Sequence, residues 1–316
     1  MPLRSLTAAW LLSLLAMPLC AQTATKARAS AAAHVPAQNC VAPAPAPRTG
    51  PTYLLTSQLD ILALLPPPPA PDSAAQRDDL QAVLQAQRAA RADGALQHAI
   101  DDVQTSCARF ADAVGDALTS PEDASVLEFL NHAAREGSLI VGPAKRYWKR
   151  TRPYAYSHEV EPQGDMSPSW KSKPDIDTAA RAPMAGAAAP NCLNGAPMDP
   201  AQLAAQQQRA ADELAHSSYP SGHSTFGTVC ALLLADMVPE KREQVFTRLA
   251  DYGHSRLVMG AHFPSDIQGG RIGGTLAAEL MMQNAKFQHD YSDARATLRR
   301  SLGLPPETPN LEPSAP

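Results

Sequence analysis

Three short segments hold the residues best equipped for chemistry. Lys145 and Arg152-Pro153 come first. Their seven-residue separation is close to two helical turns, which predicts both cations on one face, roughly 10 Å apart, converging on one anion. Pro153 disfavours helix at the residue before it. The second segment is Tyr219-Pro220-Ser221-Gly222-His223, followed by the apolar residues from Phe226. A capping serine and a glycine at a helix mouth present a hydroxyl and backbone N–H groups at its positive end, which suits an anion. The third is Ser255-Arg256, then His262, then Asp266 about one helical turn further on, with Pro264 at the first turn. A carboxylate bonded to one imidazole nitrogen leaves the other free as a nucleophile. Taken singly, these segments have plainer readings: a solvated cation pair, an ordinary cap, a structural His–Asp pair.

The elements that must position them are helical. Leu96, Ile100, Val103, Cys107, Phe110 and Val114 step by three or four and predict one apolar face. Ser120-Pro121 starts another helix carrying Val126, Leu127, Phe129 and Leu130. Phe226, Val229, Cys230, Leu233 and Met237 form a third stripe, and Ile272, Leu276 and Leu280 a fourth. No run of alternating strand residues is apparent. The expected fold class is all-α, a bundle-like domain over about 52–302. Residues 162–190, polar and rich in Pro and Ala, read as an inserted surface loop. Residues 303–316, with five prolines, read as a disordered tail.

The chain of 316 residues balances 27 Lys+Arg against 31 Asp+Glu, so no basic excess points to a nucleic-acid surface. No internal stretch reaches the length of a membrane span. Arg4, the apolar run Leu6 to Leu19 and the small residues after it form a secretory signal peptide, 1–21, cut after Ala21. Residues 22–51, rich in Ala and Pro, read as a leader without fixed structure. Export makes disulfides relevant for Cys40, Cys107, Cys192 and Cys230, which allow three connectivities. Cys40 and Cys192 lie in irregular segments, so their pairing is favoured, with Cys107 and Cys230 as buried thiols.

As a set the motifs are far more specific. Lysine, six residues, Arg-Pro; then Pro-Ser-Gly-His; then Ser-Arg, five residues, His, three residues, Asp: the series resembles the signature of the type 2 phosphatidic acid phosphatase superfamily. The surrounding sequence looks like the class A bacterial non-specific acid phosphatases, through Leu65 with the prolines 66–69, Ser218 to His223, and Gly260-Ala261-His262 before Ser265-Asp266. The resemblance covers roughly 52–300. Two departures stand out: 66 residues separate Pro153 from Pro220, longer than the family leads one to expect, and Ser224 stands where relatives often carry threonine.

The resemblance implies a periplasmic acid phosphatase acting on small-molecule phosphomonoesters. His262 attacks phosphorus and forms a phosphohistidine, Asp266 orients the ring, and His223 protonates the leaving group. Lys145, Arg152, Ser221, Gly222 and Arg256 hold the phosphoryl oxygens. No metal or other cofactor is required, no membrane contact is expected after signal cleavage, a homo-oligomer fits the family, and alcohols can compete with water as acceptors. With both histidines titrating near 6.5, the rate profile should be bell-shaped and mildly acidic. The other histidines are read as structural, His254 among them, although it lies close enough to the motif to support the site. Vanadium-dependent haloperoxidases resemble the same motif set, but the short chain and tetraproline argue against them. Lipid-phosphate phosphatases are usually integral membrane proteins, and no span remains here. A domain that binds phosphate without turnover is the non-enzymatic alternative.

Overall fold

The computed structural model describes residues 52–54, 59–163 and 199–305, with the backbone alone at 192–193 and 196–197. The signal peptide, the leader, residues 164–190 of the insertion, Cys40 and the tail beyond 305 lie outside the described residues. Helix α1 (Ile61–Leu64) precedes the tetraproline, and α2 (Ala74–Asp93) follows it. Ser73 caps α2 by accepting a bond from Gln76 N, and Gly94 ends it in the left-handed conformation. Next come α3 (Leu96–Asp101), α4 (Ala111–Val114), α5 (Ala124–Ser138), α6 (Gly142–Trp148) and α7 (Pro153–Tyr156). Two two-residue strands, β1 (Cys192–Leu193) and β2 (Ala196–Pro197), pair antiparallel. Helices α8 (Pro200–Ala215), α9 (Gly222–Met237), α10 (Arg242–Val258), α11 (Pro264–Met282) and α12 (Ala285–Ser301) complete an all-α architecture.

Helix α9 is the axis of the core. Thirteen of its 16 residues are buried, the third predicted stripe among them. Helices α5, α10 and α11 pack around it, and α12 lies against α5. The helix predicted at Ser120-Pro121 also forms: Ser120 caps a 3₁₀ turn that leads into α5, and Val126 and Leu130 are buried.

The first predicted stripe is not one helix. After α3 the chain breaks, makes a 3₁₀ turn at Cys107–Phe110, then enters α4. The break follows Asp102, whose fully buried carboxylate accepts bonds from Arg109, Arg248 and Ser255, while Ser106 caps the 3₁₀ turn. Ile100 and Val103 therefore pack beside Val258 and Met259, whereas Cys107, Phe110 and Val114 enter the main core. The same turn corrects the cysteine assignment. Cys107 and Cys230 are not thiols but a disulfide, with Cα atoms 5.6 Å apart across 123 residues of chain.

The fourth stripe is corrected as well. Ile272 is exposed and Leu276 and Leu280 are half-buried, while α11 buries Gly269, Gly270, Gly273, Gly274, Ala277, Ala278 and Met281. Glycine has no side chain to bury, so a hydrophobicity pattern passes over it, yet here it sets how close two backbones come. A Cβ on Gly270 would lie 2.5 Å from the Ser221 carbonyl oxygen, and one on Gly274 2.7 Å from the Thr225 oxygen. Ordinarily, Gly to Ala in a helix stabilises. Gly270→Ala is instead expected to destabilise by about 1–3 kcal/mol, because backbone cannot step aside as a side chain can. Chemical denaturation checks this, and an unchanged or higher midpoint would contradict the close α9–α11 approach.

Candidate active site

The N-termini of α9 and α11 meet in the core, and the motif residues collect around them. Ser221 is the N-cap of α9: its hydroxyl accepts from Ser224 N at 3.2 Å, and its own N–H donates to the Asp266 carbonyl at 2.9 Å. Tyr219, just ahead, is held from three sides. Its hydroxyl donates to the Pro66 carbonyl at 2.5 Å, Trp148 meets its ring edge-on, and a Cβ on Gly269 would fall 2.8 Å from the ring. The tetraproline thus braces the turn that presents Ser221, Gly222 and His223. The first-turn N–H groups of a helix have no intrahelical acceptor and point toward an incoming anion.

Lys145 and Arg152 converge, though not on a shared helix face as predicted. Helix α6 stops where Lys149 adopts φ 46°, and Arg152 caps the separate α7. The convergence point is Ser217: Lys145 Nζ donates to its carbonyl at 2.6 Å and Arg152 Nη2 to its hydroxyl at 3.3 Å. Arg152 also donates to the carbonyls of Leu214 and Ala261, which aims its Nη1 at His262 Nε2, 3.3 Å away. An arginine can only donate, so Nε2 carries a lone pair and the ring proton sits on Nδ1.

Nδ1 of His262 lies 3.5 Å from Asp266 Oδ2, longer than a good hydrogen bond. Asp266 is occupied elsewhere: it accepts from Ser218 Oγ at 2.5 Å, Phe263 N at 2.8 Å and Arg150 Nη1 at 2.6 Å. Its charge faces the ring, while its bonds anchor the surrounding backbone. The Ser218 carbonyl also favours the protonated ring, in a geometry short of a full bond. Burial, then the charges of Arg152, Lys145 and Arg256, nevertheless hold His262 well below the usual histidine range. His223 is held down likewise, by burial first and Arg256 next, partly offset by a bond between Nε2 and the Val103 carbonyl at 3.0 Å. Burial and Arg152 bring Lys145 down to about 7, against the pull of Asp266. Both imidazoles therefore titrate below the 6.5 expected from sequence, because they share a buried site with guanidinium groups.

Arg256 is the most telling member. It is 1% exposed, and its Nε and Nη1 have no protein partner. Burying an unpaired cation costs several kcal/mol, so its position makes sense around an anion. His254 does not support the site; it is exposed on α10. Two residues correspond to about 200° of helical rotation, which turns it away from Arg256. Among the described residues, no cluster of three or more His, Cys, Asp or Glu is arranged to hold a metal ion.

Sequence reasoning passed over Arg150. It is nearly buried, stacks 4.4 Å over the Phe263 ring, and bridges Asp266 to Asp79 (2.7 Å) and Gln76 (2.6 Å) on α2. Ser265 closes the ring of contacts by bonding both Asp79 and Arg150. In sequence Arg150 is one of several basic residues near Trp148, and nothing links it to Asp79, 71 residues earlier. Arg150→Met strands two buried carboxylates. It is expected to cost about 3–5 kcal/mol of stability, measured by denaturant unfolding; a loss below about 1 kcal/mol would deny the network its structural role.

A family profile described as the PAP2 superfamily matches residues 129–290. The non-specific acid phosphatase of Salmonella typhimurium is 26% identical over 248 residues, covering 76% of this chain and 80% of that protein. The non-specific acid phosphatase of Providencia stuartii is 27% identical over 249 residues, 77% of this chain and 83% of the relative. A shorter match of 84 residues, 38% identical, links the chain to an acid phosphatase of Zymomonas mobilis, covering 27% of this chain and 32% of that one. The profile spans more than half of the 316 residues and takes in every motif position around α9 and α11. This all-α chain, with its cationic pocket at two helix mouths, belongs to the PAP2 superfamily.

Proposed function

We propose that the protein is an acid phosphatase that hydrolyses small phosphomonoesters through a phosphohistidine, working outside the cytoplasm after signal removal at Ala21. The observation that carries this reading is Arg256, a buried cation with unbonded N–H groups beside two imidazoles of lowered pKa. It is supported by the names of the relatives over three quarters of the chain. No described helix is long and apolar enough to cross a membrane.

The proposed steps are these. The phosphoryl oxygens occupy the space between Arg256, Arg152, Lys145, Ser221 and the Gly222 N–H, where charge developing in transit is neutralised. The lone pair on His262 Nε2 attacks phosphorus as the bond to the ester oxygen breaks. His223 gives that oxygen a proton and is left neutral. Neutral His223 then takes a proton from water, whose oxygen bonds phosphorus while the P–N pair returns to Nε2. Asp266 opposes the positive charge that His262 acquires in the intermediate. An alcohol in place of water makes the same step a phosphotransfer.

Hydrolysis of p-nitrophenyl phosphate by residues 22–316, with and without EDTA, tests the reading. Activity is expected to ignore the chelator and to fall at least about 10³-fold in His262→Ala. Activity surviving in that variant would remove His262 as nucleophile, and bromide oxidation with added vanadate would favour the haloperoxidase chemistry instead.

The pH dependence follows from the shifted groups. Lys145, at about 7, loses its charge as pH rises through 7, and His223, held well below the usual histidine range, loses its acidic proton at lower pH still, so kcat/KM is expected to decline already below pH 6.5 and to go on falling through 7. A bound phosphoryl dianion favours protonated His223, which displaces the kcat profile to higher pH than that of kcat/KM. A kcat/KM still rising at pH 9 would overturn these roles.

A further inference from the structure

Residues 102–107, between α3 and the 3₁₀ turn, contribute no side chain to the pocket, yet they are fastened all round. The Asp102 carboxylate is fully buried and accepts from Arg248, from Arg109 at 3.0 Å and from Ser255 Oγ at 2.7 Å. The Gln104 carbonyl accepts from the buried Tyr252 hydroxyl at 3.3 Å. Cys107 N donates to Asn131 Oδ1 at 2.7 Å, and Cys107 Sγ is bonded to Cys230. Cys230 lies on α9, seven residues after His223 and so on nearly the same helix face. In the middle of this segment, the Val103 carbonyl meets His223 Nε2 at 3.0 Å.

A carbonyl can only accept, so the contact places a proton on Nε2 and leaves Nδ1 to exchange the catalytic proton. A neutral acceptor also raises the imidazole pKa less than a carboxylate does, which keeps His223 a ready acid. We propose that 102–107 is a strap that orients His223 for proton transfer, with Asp102, Ser255 and the Cys107–Cys230 disulfide as positioning residues. The inference rests on His223 being the general acid. The disulfide binds the strap to the helix that carries the histidine it orients, so the carbonyl and the imidazole move together. Ser255 precedes Arg256, so the Asp102 cluster also registers the strap against the oxyanion-holding arginine.

The test compares kcat/KM on two esters. Glycerol phosphate releases an alkoxide that needs a proton; p-nitrophenyl phosphate releases a phenolate that does not. His223→Ala sets the scale, with an expected loss of about 100-fold on the alkyl ester and less than about 10-fold on the aryl ester. Cys107→Ser/Cys230→Ser is expected to lose about 10-fold on the alkyl ester and under about threefold on the aryl one. Ser255→Ala, which leaves Asp102 its two arginines and so keeps the fold, is expected to lose about threefold on the alkyl ester alone, and it carries the test if the double variant does not fold. Equal losses on both esters, or none, while His223→Ala still discriminates between them, would overturn the strap. If His223→Ala itself fails to discriminate, the acid assignment falls, and the inference with it.

Discussion

Three of the segments that surround the pocket are tied to one carboxylate with no exposure, Asp266. Its oxygens hold Arg150 from the stretch between α6 and α7, Ser218 from the turn before α9, and the Phe263 N–H at the start of α11. Its backbone carbonyl takes the Ser221 N–H, which sets the mouth of α9 against that of α11. Such a joint works only if the helices approach closely, and the glycine face of α11 allows that approach. Packing and polar geometry are therefore one constraint: widen the helix pair and Asp266 loses its partners, while an unpaired buried carboxylate would drive the pair apart.

The pocket's charges divide by whether the protein answers them. Arg150 is neutralised twice over, by Asp79 and Asp266, and Arg248 by Asp102; these buried pairs build the walls. Arg256 is left without an answering group, and Lys145 is pushed toward neutrality by burial and then by Arg152. The same residue type stands as scaffold where a carboxylate meets it and as an unanswered buried cation where none does. On the proposed function, an oxyanion bound among these cations would relieve their mutual repulsion.

Much of the site was legible in the chain. Lys145, Arg152, Ser221, His223, Arg256, His262 and Asp266 are found near one another, and the part of that arrangement that is local could be read: a cap before a helix, a proline in a first turn, a histidine one turn from an aspartate. The helix at Ser120-Pro121 and the apolar stripe of α9 were legible for the same reason. The stripe from Leu96 to Val114 misled, because periodicity counts apolar residues and does not register what Asp102 does when Arg248 and Ser255 reach it from another helix. The stripe at Ile272 misled because the buried face of α11 is built from glycine and alanine.

The sequence by itself determined the all-α class and the local features of the candidate site, the cap at Ser221, the first-turn Pro264 and the spacing of His262 to Asp266, all of which depend on residue type and short spacing. Tertiary structure alone decided what depends on contacts between distant segments. It joined Cys107 to Cys230, brought Lys145 and Arg152 together at Ser217 rather than on one helix, bridged Arg150 between Asp79 and Asp266, and set the Val103 carbonyl on His223. Each of these joins groups whose separation along the chain carries no periodic signal. A shared helical face can be computed from 3.6 residues per turn, whereas a partner 50 or 100 residues away is chosen only when the core closes.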